Sequence, residues 1–170
     1  MVERSFNIRA LTTSDLPAVL EVYRQCEDFL ALGPVPTASA EMVRQDMALS
    51  AGIGGTFCGI FDDTGNLMGV VDFLMEGFEG NPQHAFIELL MIAQAYRGQG
   101  LGAAVVAQVE GEIRRHPNVT AILSGVQVNN PAAIRFWQRM GYAIDSEAEA
   151  MPDGTTVYHL RKILTPPIDR

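Results

Sequence analysis

Residues 84–113 place the tightest constraint on what this chain can fold into. A nearly unbroken apolar run, HAFIELLMIA, passes through QAYRGQGLG and enters AAVVAQVEGEI. The run reads as a strand with little alternation, so it is expected to be buried on both faces. Leu101, Val105, Val109 and Ile113 then recur every fourth residue as one apolar helix stripe, which Pro117 closes. Between strand and helix stand Gly98, Gly100 and Gly102, with Gln99 and Leu101 alternating among them, just behind Arg97. A strand that enters a helix through Gly-x-Gly points free backbone N–H groups into one concavity. The helix dipole adds partial positive charge there, and the missing side chains let a phosphate come close. The segment is thus a candidate pyrophosphate cradle, to which Arg97 can add charge. The same glycines can simply make a tight turn, and the bare spacing alone favours that plainer reading.

Two familiar phosphate motifs fail. A Walker loop needs Gly-Lys-Ser/Thr, and there is no lysine here. A dinucleotide fingerprint needs a wider glycine spacing and an acidic residue ending the next strand, which instead ends in QVNN.

The rest of the chain supplies a mixed set of elements. FNIRALTTSDL predicts a strand and a helix start, capped by Thr13 or Ser14, with Asp15 and Pro17 in the first turn. LPAVLEVYRQCEDFL carries Leu16, Val19, Leu20 and Tyr23 at helical spacing, and ALGPVPTAS breaks it. A second helix is expected in ASAEMVRQDMALSAG, capped by Ser39 or Thr37. GTFCGIFDDTGNLMGVVDFLME reads as a hairpin around DDTGN. VTAILSGVQV is another buried strand. NNPAAIRFWQRMG is a short helix with Asn130 as N-cap, Pro131 at the first position and Gly141 past the end. YAIDSEAEAM and TVYHLRKIL close the chain as two strands. No linker or repeat interrupts residues 1–170, which read as a single domain, and the tail TPPIDR is expected to fray.

With 170 residues and a formal charge of −8, the chain can build a full core but lacks the basic clusters that nucleic-acid binding uses. No apolar run is long enough to span a membrane, and MVERSFNIRA has no signal-peptide core. Cys26 and Cys58 lack metal-ligand spacing and read as reduced, buried thiols of a cytoplasmic protein. His84, His116 and His159 are scattered, and no metal is expected.

RGQGLG resembles the Arg/Gln-x-x-Gly-x-Gly/Ala signature of the GNAT superfamily of acyl-CoA-dependent N-acyltransferases. NPAAIRFWQRMGY is similar to that family's second signature, with a gap between the two that fits one helix and one strand. The resemblance covers almost the whole chain. It implies an α+β fold in the order β-α-α-β-β-β-α-β-α-β-β, its mostly antiparallel mixed sheet splayed between two central parallel strands. It implies acetyl-CoA as cosubstrate and a primary amine as acceptor.

The implied roles follow position by position. The backbone from Gly98 through Gln99, Gly100 and Leu101 to Gly102 would bind the CoA pyrophosphate, beside Arg97. Leu90, Met91, Ile92 and Ala93 would pair with the pantetheine arm like an added strand. The N–H near Met91 would face the thioester carbonyl as oxyanion donor. Asn130 would hold the arm from the other side, a role compatible with helix capping. Ala133, Phe136 and Trp137 belong to the second signature on the same helix.

Amine acylation needs a proton acceptor, a donor to the carbonyl oxygen and a thiolate that leaves. Glu88 is the only charged residue inside its apolar strand, and the family places a working glutamate there. A carboxylate paired with a buried arginine, or one that anchors substrate, is an equal alternative. Glu76, Glu79, Asp72 or a water chain are further candidates. Trp137 departs from the family, which carries a tyrosine there; indole N–H donates but does not ionise usefully, so packing is the expected role. The acceptor pocket is expected from CEDFLALGPVPTAS, EGFEGNPQ and EAMPDG, whose acidic and apolar residues suit a small cationic amine. A non-catalytic acyl-CoA-binding or sensing module, a nucleotide-binding fold and a homodimer remain open.

Overall fold

The structure is a computed structural model that describes residues 5–166. Residues 1–4 of the segment read for a leader, and residues 167–170 of the tail expected to fray, lie outside the described residues. The strands are β1 (Asn7–Ala10), β2 (Thr56–Phe61), β3 (Leu67–Leu74), β4 (His84–Ile92), β5 (Ala121–Gln127), β6 (Ala143–Ile144), β7 (Glu149–Ala150) and β8 (Thr156–Ile163). The helices are α1 (Leu16–Gln25), α2 (Glu27–Leu30), α3 (Ala40–Gly52), α4 (Leu101–Ile113) and α5 (Pro131–Arg139). The strands pair mostly antiparallel, as expected, with β4 and β5 as a parallel pair.

Two compact units organise these elements. Among the described residues the first holds 5–73 and 88–105. In it β1 pairs β2 and β2 pairs β3, both antiparallel, and β3 neighbours β4. The hairpin turn is built by Asp62, whose Oδ1 accepts from the N–H groups of Thr64 and Asn66, both at 2.9 Å. Its carboxyl is pushed down to about 2, chiefly by the Asn66 N–H. The core gathers Val19, Val22 and Tyr23 of α1, Val43 of α3, Phe57 and Phe61 of β2, Val70 of β3 and Met91 of β4.

Two expectations change in this unit and a third is met. The helix read through residue 30 breaks at Cys26, whose φ of −110° and ψ of 19° are not helical, leaving α2 as a separate turn. Neither Thr13 nor Ser14 caps the start. A 3₁₀ turn over Thr13–Asp15 precedes α1, and Asp15 reaches back to accept from the Thr12 N–H at 2.9 Å. Ser39, one of the two residues proposed for α3, does cap it, accepting from the Met42 N–H at 3.1 Å.

Among the described residues the second unit holds 74–87 and 106–166. β4 pairs β5 in parallel over four residues, from His84↔Ala121 to Ile87↔Ser124. β8 pairs β5 along its length and also takes β6 and β7, all antiparallel. YAIDSEAEAM is therefore two short strands rather than one. Its residues are exposed from Ala143 to Ala150, without the alternation that would carry a continuous strand. Asn130 caps α5, its Oδ1 accepting from the Ala133 N–H at 3.1 Å, with Pro131 first in the helix. β4 itself alternates, with Ala85, Ile87 and Met91 buried and Glu88 exposed, so it is not covered on both faces.

Candidate active site

The turn from β4 into α4 is built as a cradle. Gly98 and Gly100 have φ of +71° and +79°, a region that disfavours any side chain. No atom stands within 4 Å of where a Cβ on either would lie, so this face of the turn is open. The first bond into α4 runs from the Ala104 N–H to the Gly100 carbonyl at 3.1 Å. Amides ahead of it at the helix start have no helix carbonyl to meet, which leaves them to a ligand or solvent. Open glycines, free amides and the positive end of a 13-residue helix fit a pyrophosphate.

Arg97, expected beside the cradle, is bonded within the chain. Its Nη1 and Nη2 donate to the Asp28 carboxylate at 2.7 and 3.1 Å. Its Nε donates to the Ile92 carbonyl at 2.8 Å and its Nη2 to the Gln25 carbonyl at 3.3 Å. The guanidinium is already engaged within the chain, and its hydrogen bond holds the Asp28 carboxyl below the usual carboxylate range. Glu27 is engaged too, accepting from the Ala38 N–H at 3.1 Å. Both acids of CEDFLALGPVPTAS, one of the three segments expected to build the acceptor pocket, thus hold backbone or arginine partners.

The strand segment expected to carry the donor is tightly fixed. The Ala93 N–H donates to the Met68 carbonyl at 2.9 Å. A Cβ on Gly69 of β3 would stand 2.4 Å from the Met91 carbonyl, so only glycine fits opposite Met91. The sequence carried this signal, since a glycine inside an apolar strand marks close backbone approach, but the reading passed over Gly69. Leu90 and Ile92 are half-buried, and Met91 and Ala93 are buried.

Glu88 keeps solvent access, yet its carboxyl is pushed up, first by desolvation and then by the charge of Asp46. Asp46 on α3 is itself raised by burial, against a 2.7 Å hydrogen bond from the Tyr23 hydroxyl. Asp72 on β3 is buried and accepts from the Ser50 hydroxyl at 2.6 Å. Burial raises it to about 6, the Ser50 bond opposes that, and Glu88 and Asp46 raise it further. Three carboxyls of this unit thus hold their protons above the usual range through burial, Glu88 partly also through the charge of Asp46 and Asp72 partly also through the charges of both. One of them is suited to taking a proton near neutrality. Asp46 and Ser50 were not singled out from sequence, because polar residues on a helix look like a solvated face, and Tyr23 was read only as part of an apolar helix stripe.

In the second unit, Trp137 is buried and packs edge-on against Phe136 and Tyr142, at ring centroid distances of 5.3 and 4.9 Å. Packing is the observed role, as expected. The Tyr142 hydroxyl donates to Glu110 at 3.1 Å, and burial raises its proton affinity further, so this phenol is committed to the interior. Asn130 caps its helix, and Ala133 supplies the capped N–H. Of the other carboxylates weighed, Glu76 lies 3.8 Å from His116, and Glu79 sits in a turn at a φ of 53°. His159 pairs with Glu149 at 2.5 Å and His84 with Asn81 at 3.4 Å. Among the described residues no group of three His, Cys, Asp or Glu side chains could hold a metal ion.

Known proteins match this architecture. An acetyltransferase from Thermus thermophilus superposes with a TM-score of 0.78 at 20% identity, covering 94% of this chain and 97% of that one. A spermidine N-acetyltransferase from Vibrio cholerae, solved with CoA and spermine, superposes with a TM-score of 0.71 at 16% identity, covering 93% and 95%. In sequence, N-alpha-acetyltransferase 30 of Schizosaccharomyces pombe is 28% identical over 80 residues. That match takes in 47% of this chain and 53% of the relative, so it spans about half the relative's length. Residues 16–142 match the acetyltransferase (GNAT) family, a stretch that contains the glycine turn, Glu88 and the helix of Asn130 and Trp137. The chain belongs to that family.

Proposed function

We propose that the chain transfers an acetyl group from acetyl-CoA to a primary amine of a small molecule or peptide. The observation that carries this reading is the glycine turn, open where Cβ atoms would stand and set at the start of α4. In the transfer the acceptor nitrogen bonds to the acetyl carbonyl carbon and the carbon–sulfur bond breaks. The amides from Gly98 to Gly102 hold the pyrophosphate. The strand from Leu90 to Ala93 lines the pantetheine, and the N–H near Met91 supports the carbonyl oxygen. Glu88 receives the ammonium proton of the acceptor, at a carboxyl whose proton affinity is raised by desolvation and by the charge of Asp46. Roles for Asn130, Ala133, Phe136 and Trp137 toward the pantetheine rest on the second family signature. As the amide forms, the nitrogen gives up a second proton, which water carries to the departing thiolate, since Trp137 does not ionise and the Tyr142 hydroxyl donates to Glu110.

The acceptor class we favour is a small cationic amine. Support comes from the exposed Glu88, from a net charge of −8 and from the spermine-bound relative. We propose a cytoplasmic site of action, a reading that the two buried, free thiols support. Among the described residues no helix is long and apolar enough to cross a membrane.

One observation favours a second reading, an acyl-CoA sensor: the family's tyrosine position is a packed tryptophan. A panel of amines with acetyl-CoA, followed by thiol release and by CoA binding, separates the two. Acceptor-dependent release is expected. CoA binding without release for any amine favours the sensor, and absence of CoA binding overturns both readings.

A further inference from the structure

The end of β4 and the corner between α1 and α2 are joined through two residues. The Ile92 carbonyl accepts from Arg97 Nε at 2.8 Å and from the Cys26 thiol at 3.4 Å. Cys26 is the residue at which α1 breaks and α2 begins. The same guanidinium grips Asp28 with two nitrogens and reaches the Gln25 carbonyl, the last residue of α1. One planar side chain therefore spans a strand end, a helix end and a carboxylate on the next turn. It is bonded to all three and sits one residue ahead of Gly98. Phe29 and Leu30, on that turn, pack against the core that contains Met91 and Ala93.

We propose that Arg97 is a positioning residue that carries occupancy of the glycine turn to the α1–α2 corner, so that donor binding fixes residues 26–32 for the acceptor. The proposal rests on the donor reading given above. It assigns Asp28 a partner inside the protein rather than a substrate ammonium. A ligand that orders the glycine turn restricts Arg97 through its backbone, and the fork transmits that restriction to α2. By reciprocity, an acceptor held against residues 26–32 strengthens donor binding by the same factor. The geometry needs a guanidinium, since a lysine ammonium cannot reach all three acceptors from one planar fork.

Hydrogen–deuterium exchange with and without CoA tests this on the wild type, Asp28→Asn and Arg97→Lys. CoA is expected to slow exchange at residues 98–103 in the wild type and in Asp28→Asn, but to slow residues 26–32 in the wild type alone. Arg97→Lys is expected to behave as Asp28→Asn at residues 26–32, though it keeps its charge. With the amine that the panel identifies, Asp28→Asn raises the acceptor KM about fivefold or more, with the acetyl-CoA KM moving much less. Equal protection of residues 26–32 in all three proteins overturns the proposal. So does its absence from the wild type while residues 98–103 are protected. Faster exchange of residues 26–32 with CoA also overturns it, because Arg97 would then be leaving Asp28 for phosphate. If CoA protects nothing in the wild type, the donor reading falls and this proposal falls with it. Asp28 has a side-chain exposure of 65%, so its variant is expected to fold, and an unchanged Tm checks that.

Discussion

Asp72→Asn is expected to stabilise the protein at neutral pH. In the unfolded chain this carboxyl releases its proton near 3.8, and in the fold it holds it to about 6. Below the lower value both states carry the proton, and Asp72 adds nothing to the pH dependence. Between the two values the folded state binds more protons than the unfolded one, so stability falls as pH rises. Above about 6 both are ionised, and the fold carries the whole cost of a buried charge beside Glu88 and Asp46. The gap between 3.8 and about 6, at about 1.4 kcal/mol for each pH unit, amounts to about 3 kcal/mol. Asparagine keeps an oxygen to accept from the Ser50 hydroxyl and never ionises. The variant should match the wild type near pH 3.8 and exceed it by up to about 3 kcal/mol above about pH 6. For a chain of this size that is about 6 to 12 °C in Tm. Thermal unfolding of both proteins, followed by circular dichroism from about pH 4 to about pH 8, reads the difference directly. A variant less stable than the wild type at the upper end would mean that ionised Asp72 is stabilised, and the reasoning from burial would be wrong.

Three further outcomes are expected. Gly100→Asp puts a carboxylate on the open face of the turn and should weaken CoA binding at least about tenfold by calorimetry; its Cβ meets nothing but its positive φ strains a side chain, so the variant's Tm is read beside the binding. Glu88→Gln should lower turnover while leaving acetyl-CoA binding nearly unchanged, with activity recovering as pH rises and free amine accumulates; a variant as active as the wild type at every pH leaves Glu88 a structural carboxylate. Trp137→Phe should keep most activity with no pH-dependent loss, whereas a collapse in turnover with CoA still bound would give the indole N–H a chemical task.

Where the chain's own neighbours decide a conformation, the sequence was legible. DDTGN predicted the hairpin because Asp62 bonds residues two and four places on. NNPAAIRFWQRMG predicted α5 because its cap, first-turn proline and closing glycine lie inside one short segment. The glycine turn was legible for the same reason. What escaped depends on residues far apart in the chain. Asp28 and Arg97 are separated by 69 positions, and Ser50 and Asp72 by 22, so no local pattern announces either pair. Cys26 stops α1 although the apolar spacing continues past it, since its thiol and the following turn serve contacts with β4. YAIDSEAEAM holds enough β-formers to suggest a strand, but its charges leave only two short ladders on β8.

Lys162 is the only lysine in the chain. Its ammonium donates to both oxygens of Glu110, at 3.0 and 2.9 Å, and to the Met140 carbonyl at 2.8 Å. Its three N–H bonds are all taken by these acceptors, so the side-chain nitrogen is engaged within the chain. A protein that works beside a reactive thioester therefore presents no free lysine side chain of its own to be acylated. Reagents that label proteins through lysine should leave the folded chain almost untouched at side chains and modify Lys162 only as it unfolds, which makes that single amine a chemical reporter of the native state.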